Sequence, residues 1–455
     1  MKKYVQEPTD RNIWVSIQNN TFDRNNDVKK FIESLNRISG SACISLNAKW
    51  GDGKTFFVRQ VEETLKYVRL NQWKDEENVV EKLQSYTYLK NNGIINSIKL
   101  RKSYLPIYYN AWMYDNHSDP IISLLLVMTK VCKGTYETRI NSETISKKIL
   151  GVLSSLPIQL DGLQGLNIAT LIEKIRGQTI DILSSIQTEE KIRERIKEIF
   201  NDIIVEKAQK LIIFVDELDR CRPSFAVEML ERIKHYFEDD RIIVVVSVNK
   251  DQLIHTIGNY YGQGFDATRY LNKFFDENID LSEIDDYSKR VIQSYSTNKK
   301  DKFFLSKLAD QLGEYYRLSI REVLIFRSRI ENVPKQLVNY RHREGCFVSL
   351  FVACMILLDI VDVKEKKKFS EGKSEFVANI LPQIECYRRF VFNLFGDSSR
   401  KEQEEKFKSG HEEIIKIYKC VFNSGSDEYY ELFKIDGETK QKCIAASNGY
   451  VYDYW

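Results

Sequence analysis

The residues Ser45-Leu-Asn-Ala-Lys-Trp-Gly-Asp-Gly-Lys-Thr-Phe-Phe57 set the frame for the whole chain. An apolar run, Ala42 to Leu46, leads in, and Phe57, Val61, Leu65 and Val68 lead out at helical spacing. Strand, glycine-bearing loop and helix form the context of a phosphate-binding loop. Gly51 and Gly53 let backbone N–H groups turn inward and approach phosphate oxygens closely. Lys54 has the reach to touch β- and γ-phosphates, Thr55 offers a hydroxyl to Mg²⁺, and the new helix presents its positive end. The expected nucleotide-binding segment is therefore Ala48, Lys49, Trp50, Gly51, Asp52, Gly53, Lys54, Thr55 and Phe56. The motif's first glycine is replaced by Ala48, which fits that place provided its φ stays negative.

The 455 residues are enough for two or three domains. Their 68 basic and 65 acidic side chains nearly cancel, which gives no bulk attraction for nucleic acid or an anionic membrane. The N-terminus, Met-Lys-Lys-Tyr-Val-Gln-Glu-Pro, has no apolar signal-peptide core. The longest apolar stretch, Cys346 to Leu358, is shorter than the roughly 20 residues that span a bilayer, so it reads as a buried helix. The eight cysteines form no C-x-x-C pair and the five histidines no H-E-x-x-H, as expected for free thiols in a cytoplasmic protein.

Further along, Leu105–Tyr109, Leu211–Val215 and Ile242–Val248 read as strands, with a shorter one within Phe274–Leu281. Helical patterns lie between them, at Ile121–Val127 and from Pro223 through Met229, Ile233 and Phe237. Residues 130–210 hold no strand pattern and read as a helical insertion, with Ile192, Ile196, Ile199 and Ile203 on one face. The glycine- and proline-broken segment Ile149–Leu166 reads as buried loop and helix. This alternation predicts an α/β domain over 1–285 with a parallel sheet, followed by a helical C-terminal domain over 286–455.

Asp216 stands at the carboxyl end of an all-apolar strand, where ligands bind in open parallel sheets. An acidic residue there can hold, with Thr55, the Mg²⁺ that bridges β- and γ-phosphates. Glu217 is placed to take a proton from the water that attacks the γ-phosphate, and Asp219 is the alternative base. Asn249, ending the next strand, either hydrogen-bonds that water or a γ-phosphate oxygen, or serves the turn.

Three segments, Ala48-Lys-Trp-Gly-Asp-Gly-Lys-Thr55, Asn110-Ala-Trp-Met-Tyr-Asp115 and Asp216-Glu-Leu-Asp-Arg-Cys-Arg-Pro223, together resemble the KAP family of P-loop NTPases. Arg269-Tyr-Leu-Asn-Lys-Phe-Phe275 is similar to a further family segment. Ser319-Ile-Arg321-Glu-Val323 is similar to its helical arginine motif, with Ile320 in place of the usual proline. The resemblance spans about residues 25 to 360. It implies an additional-strand P-loop sheet and ATP as the nucleotide, beside the Mg²⁺ and the catalytic roles of Lys54, Asp216, Glu217 and Asn249 read from the residues themselves. It also implies a sensor-type arginine at Arg321, and a finger offered to a neighbouring subunit by Arg220, Arg222 or Arg269. Many relatives insert membrane helices between the two nucleotide motifs; this chain has none, which points to a soluble relative.

The expected function is ATP binding and hydrolysis that drives assembly or a conformational switch. The resemblance points to an oligomeric NTPase of a bacterial anti-phage defence system, working with separate effector proteins from the same operon. Two alternatives are a nucleotide-sensing module with little turnover and an ATP-driven nucleic-acid remodeler. For the latter, Arg327, Arg329, Arg341 and Arg343 would supply a guanidinium-rich face. The cluster Lys364, Lys366, Lys367 and Lys368 reads as a solvated loop, and the aromatic end Tyr450–Trp455 as folded back on its own domain.

Overall fold

The computed structural model describes residues 7–20, 24–72, 86–116, 119–135, 194, 196–198, 209–281, 303–334, 336–338, 343–395, 403–423 and 438–448. The chain forms two compact units, Glu7–Glu283 and Ile284–Trp455.

The first unit is built on five strands: β1 (Ala42–Asn47), β2 (Tyr104–Asn110), β3 (Lys210–Asp216), β4 (Ile242–Val248) and β5 (Glu277–Asp280). They lie in the order β2-β3-β4-β1-β5, and every pairing is parallel. Such a sheet needs both faces covered, which is why β1 to β4 are largely apolar runs; β5, at the edge, is mostly polar and exposed. Alternate side chains divide between two cores. Ile107, Ile213, Val244 and Val246 join α4 (Pro120–Thr135), α5 (Pro223–Tyr236) and α6 (Lys250–Tyr261) on one side. Ile44, Phe214, Ile243 and Val245 join α1 (Asp10–Gln18), α2 (Asn25–Ser34) and α3 (Lys54–Gln72) on the other. In α3, Phe57, Val61 and Leu65 are buried in this second core and Val68 packs against it. β4 separates β1 from β3, the additional-strand arrangement of an α/β P-loop fold.

The register sets Asn110 beside Asp216 and Asp216 beside Ser247, while Leu46 also pairs with Ser247. Four strands thus deliver their polar ends to one edge of the sheet. A short helix, α7 (Ala267–Leu271), precedes β5. Most of the expected insertion, including Ile149–Leu166, lies outside the described residues.

The second unit is helical where described: α8 (Phe303–Tyr315), α9 (Ile320–Asn332), α10 (Arg343–Val361), α11 (Val363–Ser370), α12 (Glu385–Phe395), α13 (Gln403–Phe422) and α14 (Thr439–Asn448), with two shorter turns. Its centre is α10, buried on every side from Phe347 to Leu358. The helix is longer than the apolar run suggests. It continues past Asp359 because Arg329 and Lys366 neutralise that carboxylate at 2.6 and 2.8 Å. By length and composition Glu344–Val361 is long and apolar enough to cross a membrane, which corrects the expectation that nothing reaches that length; 72% of it is buried inside the unit.

Two basic features of this unit also differ from expectation. The Lys364–Lys368 cluster is helical, not a loop: Asp362 caps α11 by accepting from Glu365 N–H at 3.0 Å, and Lys368 pairs with Glu365. Arg327 is buried on Asp310 and Ser306, and Arg329 also donates to the Ser447 carbonyl at 2.7 Å. Both arginines therefore tie the unit together internally. The Arg341 and Arg343 side chains and Tyr450–Trp455 lie outside the described residues.

The packing of α12 on α13 offers a direct test. A Cβ added at Gly410 would lie 2.8 Å from Val391 Cγ1 and 3.2 Å from Phe395 Cβ. Gly410→Ala should therefore destabilise this unit by about 1–2 kcal/mol, overpacking outweighing alanine's helix propensity. Gly93→Ala is the control, since nothing lies within 4 Å of an added Cβ there. Urea unfolding of both variants, with equal midpoints, would contradict the packing described.

Candidate active site

The loop between β1 and α3 has the backbone that its sequence requires. Gly51 and Gly53 adopt φ of 94° and 82°, conformations in which an L side chain is strained. Ala48 is not among the residues with positive φ, and its N–H donates to the Val248 carbonyl at 3.3 Å. The glycine-to-alanine departure is therefore compatible with the loop. The first intrahelical bond of α3 runs from Phe57 N–H to the Gly53 carbonyl at 2.9 Å, so the opening turn around Thr55 forms the positive end of the helix. Phe56 sends its side chain into the adjoining core.

Lys54 is buried and lies back along the loop, donating to the carbonyls of Ala48 at 2.6 Å and Lys49 at 3.1 Å. Burial lowers its pKa, while Asp219, Asp216 and Asp52 act in the opposite sense. The cation thus sits among carboxylates at the mouth of the loop.

Asp216 ends β3 with only 1% exposure. Burial pushes its pKa up; Ser247, Thr55, the Tyr108 hydroxyl and the Glu217 N–H favour the charged form. Tyr108 donates to Oδ2 at 3.1 Å, but Oδ1 is sealed from solvent without a well-formed hydrogen bond, as is Ser247 Oγ. A buried carboxylate oxygen with an unmet need, beside a threonine hydroxyl, suits a hard cation that takes oxygen donors. Asp216 and Thr55 therefore fit Mg²⁺.

Glu217 follows in the left-handed conformation, φ 62° and ψ 26°. Only three non-glycine residues among those described have positive φ, and such strain persists where the surroundings enforce it. The enforcing contacts surround the short turn Leu218–Arg220. Arg220 Nη2 lies 3.3 Å from Glu217 Oε1, and its guanidinium lies 5.5 Å from the centre of the Trp112 ring. Asp219, buried, accepts from the Trp50 indole N–H. Asp219 is thereby engaged with the loop, whereas Glu217 is held by a partly exposed arginine.

A family model, the KAP family P-loop domain, matches residues 24–335. The chain belongs to the KAP family. No curated protein matches it. The family assignment carries nucleotide binding and hydrolysis as the domain's activity, and the loop, Asp216 and Glu217 occupy the corresponding edge of this KAP sheet.

Elsewhere in the KAP domain, Asn249 is buried and caps α6, its Oδ1 accepting from Gln252 N–H at 3.3 Å. The turn role is thus real, and Nδ2 retains its donor capacity. Arg222 is tied to Asp115 through both its guanidinium and its N–H. Arg269 is exposed and makes no ion pair among the described residues. Arg321 is exposed in the first turn of α9, in the second unit, behind a Ser319–Glu322 capping box.

Two site residues escaped the reading of the sequence. Ser247 carried a signal, being the lone polar residue of a seven-residue apolar strand. Tyr108 carried none, since its role depends on which neighbour β2 pairs with.

Proposed function

We propose that the KAP domain binds ATP with Mg²⁺ and hydrolyses the bond between β- and γ-phosphates. The nucleotide state then drives assembly of the chain or a conformational switch. The buried, unsatisfied Asp216 Oδ1 beside Thr55, at the mouth of a loop holding Lys54, carries this reading.

Backbone N–H groups of the loop that follows Ala48 surround the phosphates, and Lys54 exchanges the Ala48 and Lys49 carbonyls for β- and γ-phosphate oxygens. Thr55 and Asp216 would hold Mg²⁺, which when bound neutralises phosphate charge. Water attacks the γ-phosphorus and passes its proton to Glu217; the bond to the β-phosphate bridging oxygen breaks, and ADP and phosphate leave. Asn249 Nδ2 orients the water or a γ-phosphate oxygen. Arg269, exposed and without an ion pair among the described residues, is the arginine best suited to serve a neighbouring copy. The family resemblance supports a setting in bacterial anti-phage defence with separate effectors from the same operon.

Full-length protein with ATP or GTP, with Mg²⁺ or chelator, tests this directly. We expect phosphate release from ATP that requires Mg²⁺, a molecular mass that rises with ATP, and no stimulation by DNA or RNA. Tight binding without repeated turnover would replace the ATPase with a nucleotide sensor; stimulation by nucleic acid would favour a remodeler. Asp216→Asn should raise the Mg²⁺ needed for half-maximal turnover by at least about tenfold, since even outer-shell changes reach that size. The fold should survive, because Leu211–Val215 of the strand is wholly apolar and buried. An unchanged Mg²⁺ titration would remove Asp216 from the metal site.

A further inference from the structure

Trp112 is half exposed, at 52%, on the turn after β2. An indole so placed contributes little to the core, yet its face carries the guanidinium of Arg220. That guanidinium forms an ion pair with Glu217, whose backbone is left-handed. On the other side of the same turn, Asp219 is fastened to Trp50 of the loop. The segment Glu217–Arg220 is therefore suspended between two indoles delivered by different strand ends. One uses its ring face and the other its N–H.

We infer that Trp112 is a positioning residue for Glu217, acting through Arg220. The ring fixes the guanidinium, the guanidinium fixes the carboxylate, and the Trp50–Asp219 bond prevents the strained turn from relaxing away from the loop. The water-facing direction of Glu217 is then set jointly by the ends of β1, β2 and β3. A flexible glutamate in a relaxed turn would reach the same water only part of the time, and small misplacements of reacting groups are costly. This inference rests on Glu217 being the base that takes the proton.

The test uses full-length Trp112→Ala, Trp112→Phe, Arg220→Ala, Glu217→Gln and the double variant Trp112→Ala/Glu217→Gln. Nucleotide affinity is measured by equilibrium titration and turnover with saturating ATP and Mg²⁺. Trp112→Ala should lower kcat by about 10- to 100-fold with KM and nucleotide affinity unchanged. Trp112→Phe, which keeps an aromatic face, should recover most of the loss. Arg220→Ala should match Trp112→Ala. In the Glu217→Gln background the tryptophan change should cost nothing further, because its route of action is already gone. Parental kcat in Trp112→Ala, or a full additional loss in the double variant, overturns the positioning role while Glu217 stands. Parental turnover in Glu217→Gln instead removes the base assignment, and with it the premise. An equal loss in Trp112→Phe and Trp112→Ala would also overturn the mechanism, since the cation–ring contact would then be irrelevant.

Discussion

Glu217→Gln is expected to slow hydrolysis by about 10² to 10⁴, the usual worth of a positioned general base, with nucleotide affinity nearly unchanged. Glutamine keeps the shape and the left-handed backbone, but cannot take the proton from water. The groups expected to bind phosphate and metal lie elsewhere, on the loop and at Asp216 Oδ1, so binding should survive. The variant should accumulate bound ATP. If assembly follows the ATP state, its oligomer should accumulate too, whereas wild type passes through that form. Bound nucleotide, turnover and molecular mass read these links separately. Unchanged turnover would move the base to Asp219 or to a residue of another copy. Lost turnover with unchanged mass would keep the hydrolysis and discard the assembly switch.

Lys54→Ala is expected to fail earlier, at binding. A charge-assisted hydrogen bond contributes about 1.5–3 kcal/mol, so losing the lysine should weaken ground-state affinity by roughly 10- to 100-fold. The charge that develops during phosphoryl transfer depends on it further, and removal of one such donor costs about 10² to 10³ in rate. The protein itself should not suffer. Lys54 carries a desolvation cost in its buried position, and the Ala48 and Lys49 carbonyls that it serves lie in a loop. Calorimetric titration with ATP, paired with thermal unfolding, separates the two effects. Parental turnover in this variant would dismantle the site.

The strands and the loop were legible because their signals are local. A run such as Ile242-Ile-Val-Val-Val has few alternatives to a buried strand, and Gly51 and Gly53 declare a backbone that other residues avoid. The features that were missed depend on register. Tyr108 reaches Asp216 only because β2 lies beside β3, and Arg220 meets Trp112 only because the turns after those strands converge. Asn249 held two readings in the sequence, and the structure gives it a cap without exhausting its donors. The length of α10 was hidden for a different reason. Asp359 looks like the end of an apolar helix until Arg329 and Lys366, from sequence-distant and sequence-near turns, are seen to neutralise it.

The strand order also constrains the birth of the protein on the ribosome. β1, which carries the phosphate-binding loop, pairs only with β4 and β5, both made much later. The Lys250 N–H bonds Asn47 Oδ1 across 203 residues of intervening chain. At roughly 5–20 residues per second, about 10 to 40 s of synthesis pass before β1 meets its first hydrogen-bonded neighbour. Throughout that interval an apolar strand waits with both edges open, the kind of surface that sticks to other nascent chains. The half-made protein is therefore a natural client for holding chaperones. Slowing translation between β2 and β4 should increase its aggregation, whereas slowing it after β5 should not.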